Sequence, residues 1–167
     1  MTKKRFLEEA LQNGGLKGRI YGSLHELKRA QGTHYGGILR VSDKPTRSVR
    51  KKKYTDQTGT AKLRRRLYDV ITTYNVVIAD STEEGAENVL EGFLASLAKG
   101  YYDDKENWLK VTPVATDWVD EDDSAIKTKV AVQVEVTFEY GIYREDGMDQ
   151  MLPDTVQVEF DEEDEDG

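Results

Sequence analysis

Few residues in this 167-residue chain have the type and spacing needed for chemistry. It has two histidines, His25 and His34, nine positions apart. A histidine pair can hold a metal or relay a proton, but neither sits in a motif with carboxylates at ligand spacing, so ordinary surface or partly buried histidines are expected. There is no cysteine, which excludes disulfides, thiolate zinc sites and cysteine nucleophiles. Phosphate-loop, dinucleotide, nucleophile-elbow and zincin signatures are all missing. The pairs Gly14-Gly15 and Gly36-Gly37 read as turn signals. The acidic run Asp120-Glu121-Asp122-Asp123 lacks the alternating ligands, central Gly and final Glu of a calcium loop, so a solvated hairpin tip is expected there. Catalysis, a cofactor and a metal are therefore not expected, and the chain is taken to act by binding.

Charge is the feature that points to binding. Residues 1–75 hold 18 Lys+Arg against 6 Asp+Glu, and residues 76–167 hold 6 against 26. The overall balance of −8 conceals two opposed blocks. Ten of the first block's 18 positive charges lie in residues 44–66, in Lys44, Arg47, Arg50, Lys51, Lys52, Lys53, Lys62, Arg64, Arg65 and Arg66, opposed by Asp56 alone. Three roles fit such a stretch: a sequence-independent grip on phosphates, docking on an acidic protein surface, or a solvated loop. Docking is favoured because the same chain supplies the acidic counterpart. Aromatic support for single-strand stacking is limited to Tyr54. Head-to-tail pairing of unlike surfaces builds closed rings or filaments.

The elements that position these charges follow from periodicity. Residues 129–143 alternate Val130, Val132, Val134, Val136, Phe138, Tyr140 and Ile142 with polar residues, which predicts a long half-buried strand. Its polar face, with Gln133, Glu135 and Glu139, is a candidate lumen or intersubunit face. Strands are also predicted over 67–79 and 108–119, the latter joined to 129–143 through the acidic tip. A helix is expected over 81–99, with Ser81 as N-cap, Glu84 reaching back and Gly100 stopping it. A short amphipathic helix is expected over 3–12, a shorter one over 23–30 and a strand over 35–41. Residues 44–66 fit an extended loop, mobile through like-charge repulsion, or the tip of a long hairpin. Trp108 and Trp118 are expected in the core on one strand face, with Val114 between them; an exposed interface role is the alternative. Residues 156–160 suggest a weak strand, and 161–167 an acidic disordered tail. The result is one α+β domain over 1–160, with an antiparallel-rich sheet, one main helix on a face, a short N-terminal helix and a basic excursion. No apolar run reaches membrane-spanning length, no apolar leader follows Met1, and synthesis in the cytoplasm is expected.

Residues 64–143 resemble a known family. The lead-in Arg64-Arg65-Arg66-Leu67-Tyr68 precedes the strand Tyr74-Asn75-Val76-Val77-Ile78, a capped helix and the strand from Trp108. The alternating strand that follows ends in Phe138, Tyr140 and Tyr143. This order and texture are similar to the tail terminator, or tail-completion, proteins of tailed bacteriophages. The resemblance implies a structural virion protein made in the host cytoplasm. Such proteins form a ring, typically hexameric, that caps the tail tube, ends tube growth and offers the head-joining surface. Its partners would be further copies, the tube protein, a head-tail connector or neck protein and, in contractile tails, the sheath. DNA would pass through without specific binding. Another neck component, or a nucleic-acid-associated protein using 44–66, is the alternative.

Overall fold

The structure is a computed structural model, and it describes residues 1–55, 57–119 and 130–147. The chain begins with α1 (Lys3–Asn13), followed by β1 (Ile20–Tyr21), α2 (Leu24–Lys28), β2 (Tyr35–Arg47), β3 (Lys51–Thr55) and β4 (Ala61–Asp80). It continues through α3 (Glu83–Ser96), β5 (Gly100–Tyr102), β6 (Trp108–Val119) and β7 (Val130–Gly147). The fold is α+β, as expected from the sequence. One sheet runs in the order β1-β2-β4-β7-β6-β5, with β3 continuing the β2 side of β4. All pairings are antiparallel except β1 with β2. A parallel neighbour needs a crossover, and α2 lies within it.

The apolar alternation decides which face is covered. Tyr74, Val76 and Ile78 of β4 and Val132, Val134, Val136 and Phe138 of β7 share a core with Leu7, Ala10 and Leu11 of α1 and Val89, Leu90 and Phe93 of α3. Each fully buried Val, Leu or Phe contributes about 1.5–3 kcal/mol of transfer free energy. A smaller cluster on the other face, with Val77, Ala79 and Ala131, packs against Leu27 and Ala30 around α2. The two main helices meet through glycines: a Cβ at Gly92 would stand 2.9 Å from the Gly14 carbonyl carbon and closer still to its oxygen.

Local chemistry sets the helix ends. Thr2 caps α1 by accepting from the Arg5 N–H at 3.2 Å. Thr82, not Ser81, caps α3, accepting from the Gly85 N–H at 3.1 Å. The expected capping box fails because Asp80 intervenes. Its Oδ1 accepts from the Ser81 N–H at 2.7 Å and from the Ser81 hydroxyl at 3.3 Å, which moves the start one residue on. Gly36 and Gly37 are not a turn. They lie inside β2, where Leu16 and Leu27 approach so closely that a Cβ would come within 2.6 and 3.0 Å of them.

Trp108 and Trp118 are not core residues; they are 47% and 45% exposed, and Val114 is 56% exposed. A bulge between Pro113 and Ala115 shifts the register of β6. Before it, Leu109 and Val111 enter the core and Trp108 points away. Beyond it, Trp118 stands opposite Val132 of the helix-covered face. The two tryptophans therefore occupy opposite faces.

Candidate interaction surface, the basic arm

The described residues of 44–66 form an arm of paired strands in place of the alternative expectation of a mobile loop. β2 and β3 run along one edge of β4, and β7 runs along the other. The short break between β2 and β3 is stitched by the Ser48 N–H donating to the Leu67 carbonyl and the Arg66 N–H donating to the Arg50 carbonyl, each at 2.9 Å. β4 is thus paired on both sides down to Lys62. That two-sided ladder offsets the repulsion of its own charges.

The register arranges those charges in rows. Lys51 stands opposite Arg65, which stands opposite Arg144 across the next strand. Lys52 stands opposite Arg64, and Arg64 opposite Glu145. Lys62 pairs in register with Tyr54, and Lys53 with Leu63. Higher up, Lys44 faces Ile71 and Arg47 faces Tyr68. Like charges directly opposite in a ladder cost stability. Lys44, Arg47, Arg50, Lys51, Lys52 and Lys53 are exposed, whereas Lys62, Arg64, Arg65 and Arg66 are half-buried.

The half-buried arginines are held from below. Arg64 donates to Asn107 Oδ1, and its guanidinium lies 4.0 Å from the Tyr143 ring centre. Arg66 pairs with Asp69 and lies 5.6 Å from the same ring. Asn107 is fixed in turn by a turn in which Asp103 Oδ1 accepts from the Lys105 and Asn107 N–H groups at 2.9 and 2.8 Å. Tyr143 is therefore occupied by two guanidinium groups. Tyr54 hydrogen-bonds Glu145, and this contact, more than its slight desolvation, raises the phenol pKa.

Gln133 and Glu135 are half-buried and Glu139 is exposed. They stand opposite Val77, Asn75 and Ile71 of β4, on the face away from α1 and α3. Glu139 Oε2 lies 3.7 Å from Lys110 Nζ. These three residues belong to the sheet body and are separate from the arm. Asp120, Glu121, Asp122 and Asp123 lie outside the described residues, as do 156–160 and the tail at 161–167.

His25 is exposed on α2, and His34 is held by hydrogen bonds. His34 Nε2 accepts from the Lys17 N–H at 3.1 Å, which leaves Nδ1–H to donate to Asp80 Oδ2 at 2.7 Å. Burial pushes the Asp80 carboxyl pKa up, but the bonds from His34, Thr82 and Ser81 together hold it below its usual value. No group of three or more His, Asp or Glu among the described residues could hold a metal. No helix among them is long and apolar enough to cross a membrane.

The exposed aromatics were missed as surface residues. Trp108 packs edge-on to Tyr102, with ring centres 4.9 Å apart, at the outer strand pair of the sheet. Pro113, a residue that favours bulges and edge strands, was the sequence signal for the change of face along β6.

No family model matches the sequence, and no curated protein does. Among solved structures, the fold is similar to the PVC sheath/tube terminator of an extracellular contractile injection system, determined by cryo-EM in its extended state. The TM-score is 0.54 at 14% identity, over 98% of this chain. This chain spans 64% of that protein's length. The likeness shows that the two chains share an α+β fold.

Proposed function

We propose that this protein is a terminator-like structural component of a phage tail or related injection apparatus, acting by assembly. In this reading copies form a ring, expected to be hexameric, on the end of the tail tube. The ring stops tube growth and presents a surface to a connector or neck protein and, where present, to the sheath. It belongs to the virion tail or neck, and DNA passes through without specific binding. The observation that carries the reading is the terminator-like fold over nearly the whole chain, arm included. The charge split supports it, because a closing heterologous interface needs two unlike surfaces on one chain. The basic arm (Lys44, Arg47, Arg50, Lys51, Lys52, Lys53, Lys62, Arg64, Arg65, Arg66) is assigned to one surface. The acidic segment Asp120, Glu121, Asp122 and Asp123 is assigned to the other, and Gln133, Glu135 and Glu139 to a lumen or intersubunit face.

The test is negative-stain imaging and native mass of the purified 19.0 kDa chain, alone and with tube ends, across ionic strength. Ring particles on tube ends, weakening as salt rises, are expected. A chain that stays monomeric in the presence of tube ends would refute the reading. Saturable, salt-sensitive binding to duplex DNA by the intact chain would favour the nucleic-acid alternative.

A further inference from the structure

β7 ends at Gly147, directly opposite Lys62, so the chain leaves the sheet at the tip of the basic arm. Residues 148–167 follow, with nine acidic residues and no Lys or Arg, and 161–166 are six consecutive acids. Three residues back from the exit, Arg144 begins the row Arg144–Arg65–Lys51, which spans about 10 Å at the usual strand spacing. Beside it, Arg47, Arg50, Lys51 and Lys52 are exposed, with no acidic partner among the described residues.

We propose that the acidic C-terminal segment docks back on the basic arm of its own chain, covering Arg47, Arg50, Lys51 and Lys52 in the free subunit. Reach and charge both favour this occupant. Asp161 is the fourteenth residue after Gly147, a tether of about 20 Å root-mean-square length when flexible and about 46 Å at full stretch. By strand spacing Lys51 lies about 14 Å and Arg47 about 20 Å from the exit, within that range. Such a tether holds the acids at an effective concentration in the millimolar range, above that of any second copy in dilute solution. While covered, the arm presents little free charge to nucleic acid or to a neighbour. A partner surface with acids in a fixed arrangement replaces the tail without the ordering cost that the tail must meet. The contact is a property of the single chain, so its test is separate from that of the ring.

The chain has no cysteine, so Glu165→Cys carries one spin label at a unique site. Relaxation broadening of the Lys51 and Lys52 amides is expected, retained on dilution and lost near 1 M salt, where the screening length is about 3 Å. Absence of broadening overturns the proposal. So does broadening that appears only when labelled chain is mixed with separate isotope-enriched chain. In a second arm, the six acids at 161–166 are changed to Asn or Gln and binding to random-sequence duplex DNA is followed at low salt. Uncovering four cations should tighten binding at least about tenfold, and adding Lys51→Glu and Lys52→Glu should abolish that gain. A gain that survives those substitutions reflects net charge alone and overturns the docking.

Discussion

Replacing Lys51 and Lys52 with Glu should stabilise the folded subunit while disabling the arm. The two lysines stand opposite Arg65 and Arg64, with Cβ atoms about 5 Å apart in a cross-strand pair, so that their charged ends can approach to about 5–6 Å. At that distance two unit charges in a water-like dielectric repel by about 0.7–0.8 kcal/mol. Reversing one sign turns that repulsion into attraction, a swing of at most about 1.5 kcal/mol per pair. Solvent exposure and side-chain ordering reduce it to about 0.5–1 kcal/mol. The two pairs together give about 1–2 kcal/mol, or a rise of about 3–6 °C in Tm for a chain of this length. The measurement is urea unfolding followed by circular dichroism, with residues 161–166 made neutral so that the tail does not contribute. At 1 M NaCl the gain should nearly vanish, because screening acts over about 3 Å. Association with neighbouring copies or tube ends should fall in the same variant. A variant no more stable than the parent at low salt would refute the charge-row argument. A stabilised variant that still assembles normally would refute the arm's role in docking.

Three further outcomes are expected. Gly92→Ala forces a Cβ against the Gly14 backbone, where no rotamer change relieves the contact; overpacking of about 1–3 kcal/mol outweighs a helix-propensity gain of about 1 kcal/mol, so Tm falls in thermal melts. Asp80→Asn keeps one oxygen for the Ser81 and Thr82 N–H groups but replaces the oxygen that accepts from His34 with an NH2, and costs about 1–2 kcal/mol at neutral pH. Because the folded carboxyl pKa is depressed, that stability is present above the unfolded value of about 4 and is lost as pH falls through the folded pKa. Unfolding curves of parent and variant should therefore converge at acid pH. Trp108→Ala, at a half-exposed site, should cost about 1 kcal/mol or less of fold stability. The same change should weaken tube or neighbour association at least about tenfold; unchanged association would remove Trp108 from the interface.

The sheet was legible where one face had to be dry. Val132, Val134, Val136 and Phe138 alternate with polar residues because the helices cover one side only, and that pattern exists in sequence. The ends of the strands were not legible. β2 runs to Arg47, β4 starts at Ala61 and β7 reaches Gly147, through a tract where both faces are polar and alternation carries no signal. Pairing partners hold it together there, and partners are long-range information. The placing of Trp108 and Trp118 on one face failed for a similar reason: a one-residue bulge inverts every side chain beyond it. The shift of the α3 cap to Thr82 came from Asp80 competing for the Ser81 and Thr82 N–H groups. The basic residues of the site could be listed from sequence, but their stacking into rows across three strands could not.

That stacking also limits how copies can associate. Along most of their length the outer sides of β2, β3 and β6 are unpaired among the described residues. Exposed edges invite indiscriminate strand addition, and lysine or proline on them discourages it. β3 carries Lys51, Lys52 and Lys53, and β6 carries Pro113 at its bulge. A twofold pairing through the arm would set one basic row against another and be repelled, more strongly as salt falls. Pairing of the arm with an acidic surface elsewhere on the next copy has no such penalty, and it is heterologous by construction. Successive copies then share one rotation, and a rotation that closes gives a ring. The charges that destabilise the subunit thus select against the dimer that would otherwise be simplest to form.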